Sequence, residues 1–239
     1  MESGLEKPAW QYDELKHAGV DYADPDQAAV YDKRHQRFRD YRKDAEAVAA
    51  RLGVNPEHTI LDLGAGTGAF TLHAAPLCRK IFAVDVSQAM LECCRQEAAR
   101  RKLTNIVFHQ GGFLTYAHAG ERVDFIVSSA ALHHLPDFWK AIGLRRMRGM
   151  LKPGGRLYLF DIVFPDAGEA LSGPITLWRD SLKEKAGVEF AAEVDIHIRD
   201  EHSTYDWIME GLLTRAGFRI DQAEYGGGFG ATYLCTNPE

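Results

Sequence analysis

The stretch ILDLGAGTGAF, residues 60–70, joins an apolar run to a carboxylate, Asp62, and then to glycines at every second position, Gly64, Gly66 and Gly68. Glycines bare the backbone and accept left-handed turns, so a ligand can approach the main chain closely. A second apolar run, KIFAVDV (80–86), closes on Asp85. A carboxylate there accepts hydrogen bonds from the paired hydroxyls of a ribose. Further along, SSAALHHL (128–135) sets Ser129, His133 and His134 just after an apolar run. An imidazole at a pocket mouth takes or orients a proton near neutral pH; the alternative is that these histidines only pack or cap a helix. Asp161 lies in RLYLFDIVF (156–164) and is placed either to anchor an amine or hydroxyl or to pair with an arginine.

Other chemistry is weaker. Trp178, His197, His202 and Tyr205 are candidates for an acceptor pocket, although the sequence does not orient them. His197 and His202 are spaced off a common helix face, and no Cys/His cluster completes a metal site. The basic runs RQEAARRK (95–102) and RRMRGMLK (145–152) read as solvated helix faces. An RNA-binding surface would interleave aromatics in a basic domain, whereas the 239-residue chain carries a formal charge of −6. No nucleic-acid or membrane partner is expected. Cys78, Cys93, Cys94 and Cys235 form no C-x-x-C pair; they read as free thiols in a reducing compartment. The charged N-terminus has no signal-peptide pattern, and no run approaches the ~20 apolar residues of a membrane span. The expected compartment is the cytoplasm.

These residues need a scaffold, and the chain alternates to supply one. HTILDL (58–63), KIFAVDV (80–86), NIVFHQ (105–110), VDFIVSSAAL (123–132) and RLYLFDIVF (156–164) read as strands. The fourth is apolar almost throughout, as in a strand buried on both faces. Between them GAFTLHAAPLC, QAMLECCRQEAARRK and a segment from Pro136 to Leu151 read as helices, the last stopped by KPGG. Such alternation predicts an α/β, Rossmann-like, doubly wound sheet, with ligands beyond the carboxyl ends of the strands. Polar helices are expected over 26–52. Ser203 and Asp206 have capping-box spacing before a helix at YDWIMEGLLTRA, and FRIDQAEYGGGFGATYLCT has hairpin character. Residues 165–203 show no clear period and read as an inserted cap or loop region.

The glycine spacing is G-x-G-x-G, not the G-x-G-x-x-G of nicotinamide-binding turns. ILDLGAGTG, with VDVS, VDFIVSSAALHHL and LKPGGRLYLFD, resembles the class I S-adenosylmethionine-dependent methyltransferases over about residues 30–163 and, more loosely, 204–236. The resemblance implies a seven-stranded sheet, mostly parallel with an antiparallel last strand, an N-terminal helical lid and a cap insertion. It implies S-adenosylmethionine as cofactor. Gly64, Ala65 and Gly66 would line its methionine part, with Gly68 completing the turn. Asp62 would brace the loop or reach the amino group, Asp85 would hold the ribose, and Val86 and Met90 would flank the adenine. Ser129 would face the cofactor. Phe113 would pack on the adenine ring. The family often has an acid before this aromatic position, accepting from the adenine amine. Here Gly112 occupies that place, so the acid's contact is expected to be missing or replaced, with Gln110 the nearest candidate. Tyr31 resembles an aromatic folded over the donor; the alternative is a surface tyrosine.

The expected organisation is a single methyltransferase domain over 1–239: a helical lid (1–57), a cofactor-binding core (58–163), a cap and acceptor region (164–203) and a C-terminal helix and hairpin (204–239). The expected activity is methyl transfer to a small-molecule acceptor, with His133 and Asp161 the candidate catalytic residues. An arsenite-type acceptor is disfavoured, because no cysteine falls in a plausible acceptor loop. Two alternatives remain: a catalytically silent S-adenosylmethionine-binding partner or sensor, and a nicotinamide-dependent oxidoreductase.

Overall fold

The computed structural model describes residues 8–16, 19, 39–166 and 171–238. Five strands follow the expected alternation: β1 (Thr59–Leu63), β2 (Lys80–Asp85), β3 (Ile106–Gln110), β4 (Val123–Ser129) and β5 (Leu151–Phe164). Helix α1 (Tyr41–Leu52) precedes them, and α2 (Thr71–Ala74), α3 (Gln88–Arg100) and α4 (Asp137–Met150) lie between them. Beyond β5 come α5 (Ser172–Ala186), α6 (Val188–Asp200), β6 (Thr204–Tyr205), α7 (Asp206–Arg215), β7 (Arg219–Tyr225) and β8 (Gly230–Thr236). The sheet order is β3-β2-β1-β4-β5-β8-β7, with β6 attached to the end of β5. Strands β1 to β5 pair in parallel. β8 runs antiparallel to both β5 and β7. This is the expected doubly wound sheet with its antiparallel last strand; the eighth strand is the two-residue β6.

Local chemistry sets the boundaries. α1 starts where the Asp40 side chain accepts the Lys43 N–H (3.2 Å) and ends at Gly53, left-handed at φ 74°. Its Tyr41, Ala45, Ala49 and Leu52 form one buried face. α3 is capped by Ser87, whose hydroxyl accepts the Met90 N–H, and buries Met90, Leu91, Cys94 and Ala98. Every residue of β1 is buried, and β4 is buried along most of its length. The larger core cluster joins Leu61, Leu63, Ile126, Leu157 and Leu159 of the sheet to Leu144 and Met147 of α4 and Met209 and Leu213 of α7. A rigid layer therefore holds the carboxyl ends of β1, β2, β4 and β5 along one rim.

Four expectations change. The helix after the glycine turn is only α2 and a 3-10 turn over Ala75–Leu77, where Pro76 withholds an N–H. KPGG does not follow α4 as a loop; it lies inside β5, which begins at Leu151. Within 165–203, the described residues 172–200 are not irregular: α5 and α6 form a helical hairpin about Gly187 (φ 101°), tied by the Arg179 guanidinium to both oxygens of Asp195 (2.5 and 2.8 Å). Ser203 does not cap α7, which starts without a side-chain cap; its hydroxyl meets His197 Nε2 at 2.8 Å instead. Among the described residues no helix is long and apolar enough to cross a membrane.

Candidate active site

A cleft of about 900 Å³ runs along the rim of strand ends and under the α5–α6 hairpin. At one end stands the glycine turn. Gly64 is left-handed at φ 83°, and a Cβ there would lie 2.4 Å from the Ala131 Cβ, so only glycine fits. Gly66, at φ 54°, lines the cleft, and nothing lies within 4 Å of where its Cβ would stand. Gly64 and Ala65 donate their N–H groups to the Val84 carbonyl, which locks the turn onto β2. Gly68 is not part of the cleft wall. It serves packing: a Cβ there would lie 2.4 Å from Cys94 Sγ of α3.

Asp85 Oδ2 accepts the Gly66 N–H (2.7 Å), and Oδ1 accepts the Ser87 N–H (2.8 Å). Asp85 also lines the cleft, where a carboxylate can meet the paired hydroxyls of a ribose. Asp62 is buried at the cleft wall and accepts the Thr71 hydroxyl at 2.6 Å. Burial pushes its pKa up to about 7; the Thr71 bond opposes this and the charge of Asp85 adds to it. A cationic ligand group beside Asp62 would relieve that cost. Val86, Met90, Gly112, Phe113 and Ser129 line the same end. The bare turn, the Asp85 carboxylate and this apolar slot fit an adenosyl group with an amino-acid tail.

The other end is a chain of ionisable side chains. His133 Nδ1 meets Asp161 Oδ1 at 2.5 Å, and His133 Nε2 lies 3.3 Å from Glu201 Oε2. The same Glu201 oxygen bonds His197 Nδ1, and His197 Nε2 meets Ser203. Burial lowers the His133 pKa, but the Asp161 charge and hydrogen bond outweigh it, with Glu201 adding to them; the net shift is upward. Burial raises Asp161, and the His133 charge and hydrogen bond bring it below the ordinary carboxylate value. His133 is therefore held between two carboxylates that engage both ring nitrogens and favour its protonated form. His134 opens onto the cleft, yet burial pulls its pKa down to about 4, with repulsion from His133 contributing.

Asp161 is fully buried behind His133 and is not on the cleft wall. The anchoring role expected for it is corrected: it positions His133, and its partner is a histidine, not an arginine. Its Oδ2 takes no hydrogen bond among the described residues. Trp178 and His197 do line the cleft. His202 and Tyr205 do not; His202 donates its backbone N–H to the His133 carbonyl, and Tyr205 is exposed and stacked on Trp207. Tyr31 lies outside the described residues. Gln110 is not at the cleft, since its amide donates to the Val86 carbonyl. Two residues were missed from sequence. Glu201 sits at the end of the cap, where no motif marks it. Glu14 lies in the N-terminal segment, yet its carboxylate reaches the slot beside Gly112. His133, His134 and Glu201 also bring one ligand atom each within 4.8 Å of one another, a convergence of separate elements that spacing along the chain does not announce.

Comparison with known proteins agrees with the site. Residues 60–155 match the family model described as a methyltransferase domain. The chain is 30% identical over 203 residues to an uncharacterized methyltransferase, YrrT, of Bacillus subtilis, covering 82% of this chain and 87% of that one. It is 27% identical over 195 residues to the uncharacterized methyltransferase GK2543 of Geobacillus kaustophilus, covering 81% and 83%. A solved S-adenosylmethionine-dependent methyltransferase from Clostridium acetobutylicum superposes with a TM-score of 0.66 at 14% identity, covering 90% of this chain and 98% of that one. The chain belongs to the class I S-adenosylmethionine-dependent methyltransferase family.

Proposed function

We propose that this protein transfers a methyl group from S-adenosylmethionine to a small molecule that arrives already nucleophilic. One observation carries the reading. A single cleft contains both the glycine turn with Asp85 and, under the helical hairpin, the His133–Glu201–His197 cluster. When bound, the donor supplies a methyl group on a sulfonium, an electrophile that needs no metal or redox partner. The chain's own residues bind and orient. Gly64, Ala65 and Gly66 bring bare backbone to the donor's amino-acid part, Asp62 meets its ammonium, and Asp85 takes the ribose hydroxyls. Val86, Met90 and Phe113 form the slot for the base.

The acceptor end argues against strong base catalysis. Both ring nitrogens of His133 are engaged by Asp161 and Glu201, which favour its protonated form, and His134, with a pKa near 4, is a weak proton acceptor at neutral pH. Burial raises Glu201, but its hydrogen bond to His197 and the charge of His133 hold it below the ordinary value. His134 and Glu201, both shifted to lower pKa, are poorly matched to removing a proton at pH 7. Positioning then supplies the rate, and a His133 ring whose protonated form is favoured suits an anionic or lone-pair nucleophile. The four free thiols support a reducing, cytoplasmic setting.

The test has two stages. Calorimetry should show binding of S-adenosylhomocysteine and none of NAD. Turnover with a panel of amines, thiols and phenols should then give one methylated class. Binding of NAD in place of S-adenosylhomocysteine would overturn the donor assignment. Tight donor binding with no turnover on any acceptor would favour the silent-partner reading.

A further inference from the structure

The N-terminal segment 8–16 crosses the cleft as a strap with no regular structure. Trp10 stacks on Trp139 of α4 at 6.4 Å, and the Tyr12 hydroxyl donates to the His134 carbonyl at 3.1 Å. Glu14 is its one buried charged group, at 9% exposure. Its Oε1 accepts the Leu114 N–H (3.0 Å), the Thr115 N–H (2.6 Å) and the Thr115 hydroxyl (2.7 Å). Among the described residues Oε2 shares only the Leu114 N–H, at 3.0 Å. Three bonds would hold Oε1 and one would hold Oε2, so acceptor capacity is left on Oε2. Glu14 lines the cleft beside Val86 and Phe113.

Gly112 shows what that oxygen replaces. A Cβ at 112 would lie 2.5 Å from Glu14 Oε2. An aspartate's own Cβ stands about 2.4 Å from its carboxylate oxygens, a span fixed by one C–C and one C–O bond. The Glu14 carboxylate thus occupies the volume that an acid at 112 would fill, and a glycine at 112 is what makes room for it. From this we infer that Glu14 is the residue that selects the base of the donor, accepting a hydrogen bond from an exocyclic amine and rejecting an oxo group at the same place. The inference rests on the donor assignment above. It also gives the strap a second role, since Tyr12, two residues away, holds the backbone of His134 at the acceptor end.

The experiment is calorimetry of S-adenosylhomocysteine and S-inosylhomocysteine, which differ in amine against oxo, on the full chain. The wild type should prefer the adenosyl compound by at least about tenfold, the scale of one hydrogen bond to a charged group. Glu14→Gln can keep its oxygen on Leu114 and Thr115, which turns its amide N–H groups toward the base. The preference should then fall at least tenfold or invert. Gly112→Asp alone should weaken both compounds, because its side chain meets Glu14. The double variant Glu14→Ala with Gly112→Asp should regain the adenosyl preference that Glu14→Ala loses. Overturning results are an unchanged preference in Glu14→Gln, or equal losses for both compounds in Glu14→Ala with no rescue by Gly112→Asp; either would make Glu14 a strap anchor only. A wild type that binds neither compound would overturn the donor assignment, and the Glu14 role with it.

Discussion

The two ends of the cleft are built by different means. The donor end is built largely on backbone: a glycine turn locked to β2 by Gly64 and Ala65, with the Asp85 carboxylate stitched to Gly66 and Ser87. The acceptor end is mostly side chain: Asp161 of β5, His133 after β4, and His197 and Glu201 at the end of α6, linked through their side chains. Backbone recognition tolerates few changes but keeps its shape without neighbours. A buried charge chain keeps its shape only while every member is present, because losing one leaves another unpaired.

The largest effect should come from breaking that chain. Asp161→Ala leaves His133 facing Glu201 alone and should cost about 3–5 kcal/mol of stability, the usual loss on breaking a buried ion pair. Urea unfolding measures it. If the two ends are independent, S-adenosylhomocysteine affinity should stay within about threefold; a joint collapse would show one unit rather than two. Asp85→Ala should do the reverse. Donor affinity should fall by about 1.5–3 kcal/mol, while stability changes less than in Asp161→Ala.

Acidity sharpens the contrast. Asp62, with a pKa near 7, must ionise to meet the donor's ammonium. Donor affinity should therefore rise by up to about tenfold between pH 6 and 8. Asp62→Asn should flatten that rise. The same substitution should stabilise the ligand-free protein at pH 8, since a raised carboxyl pKa means that folding opposes its charge. At the acceptor end the sign differs. His133 is raised above 6.5, so its stabilisation is full below that value and is lost as pH climbs through the folded pKa. Asp161 is lowered below 3.8, so its contribution is present above that value and is lost as pH falls. The pair should be fully effective between about pH 4 and 6.5, and Asp161→Asn should abolish that plateau in the urea midpoint. The smallest effect is catalytic. His133→Ala should lower kcat less than tenfold with the pH profile unchanged, short of the ~10²–10⁴ of general catalysis.

The same contrast explains what the sequence made legible. The donor end is local: Asp62, Gly64, Gly66 and Asp85 fall at strand ends that hydrophobic alternation marks, so sheet, turn and ribose carboxylate could all be read. Glu14 could not, because its partners Leu114 and Thr115 lie a hundred positions away. Glu201 likewise meets His133 only through the fold. Asp161 was read as an acceptor anchor, but its side chain turns inward to His133. The cap was read as irregular for a different reason. α5 has no buried residue, and α6 buries only Ala191 and Val194, so neither helix needs a strong apolar stripe.

That nearly unburied helix has a consequence for how the protein diverges. The sheet constrains its sequence through packing, so changes there are filtered by stability before function is tested. α5 is under a weaker filter, although Trp178 and Leu182 on it face the cleft. Its residues can be exchanged with little loss of foldedness while the wall above the acceptor is rewritten. Drift should therefore accumulate on this helix first, and a library confined to residues 172–186 is the short route to new acceptors on an unchanged donor platform.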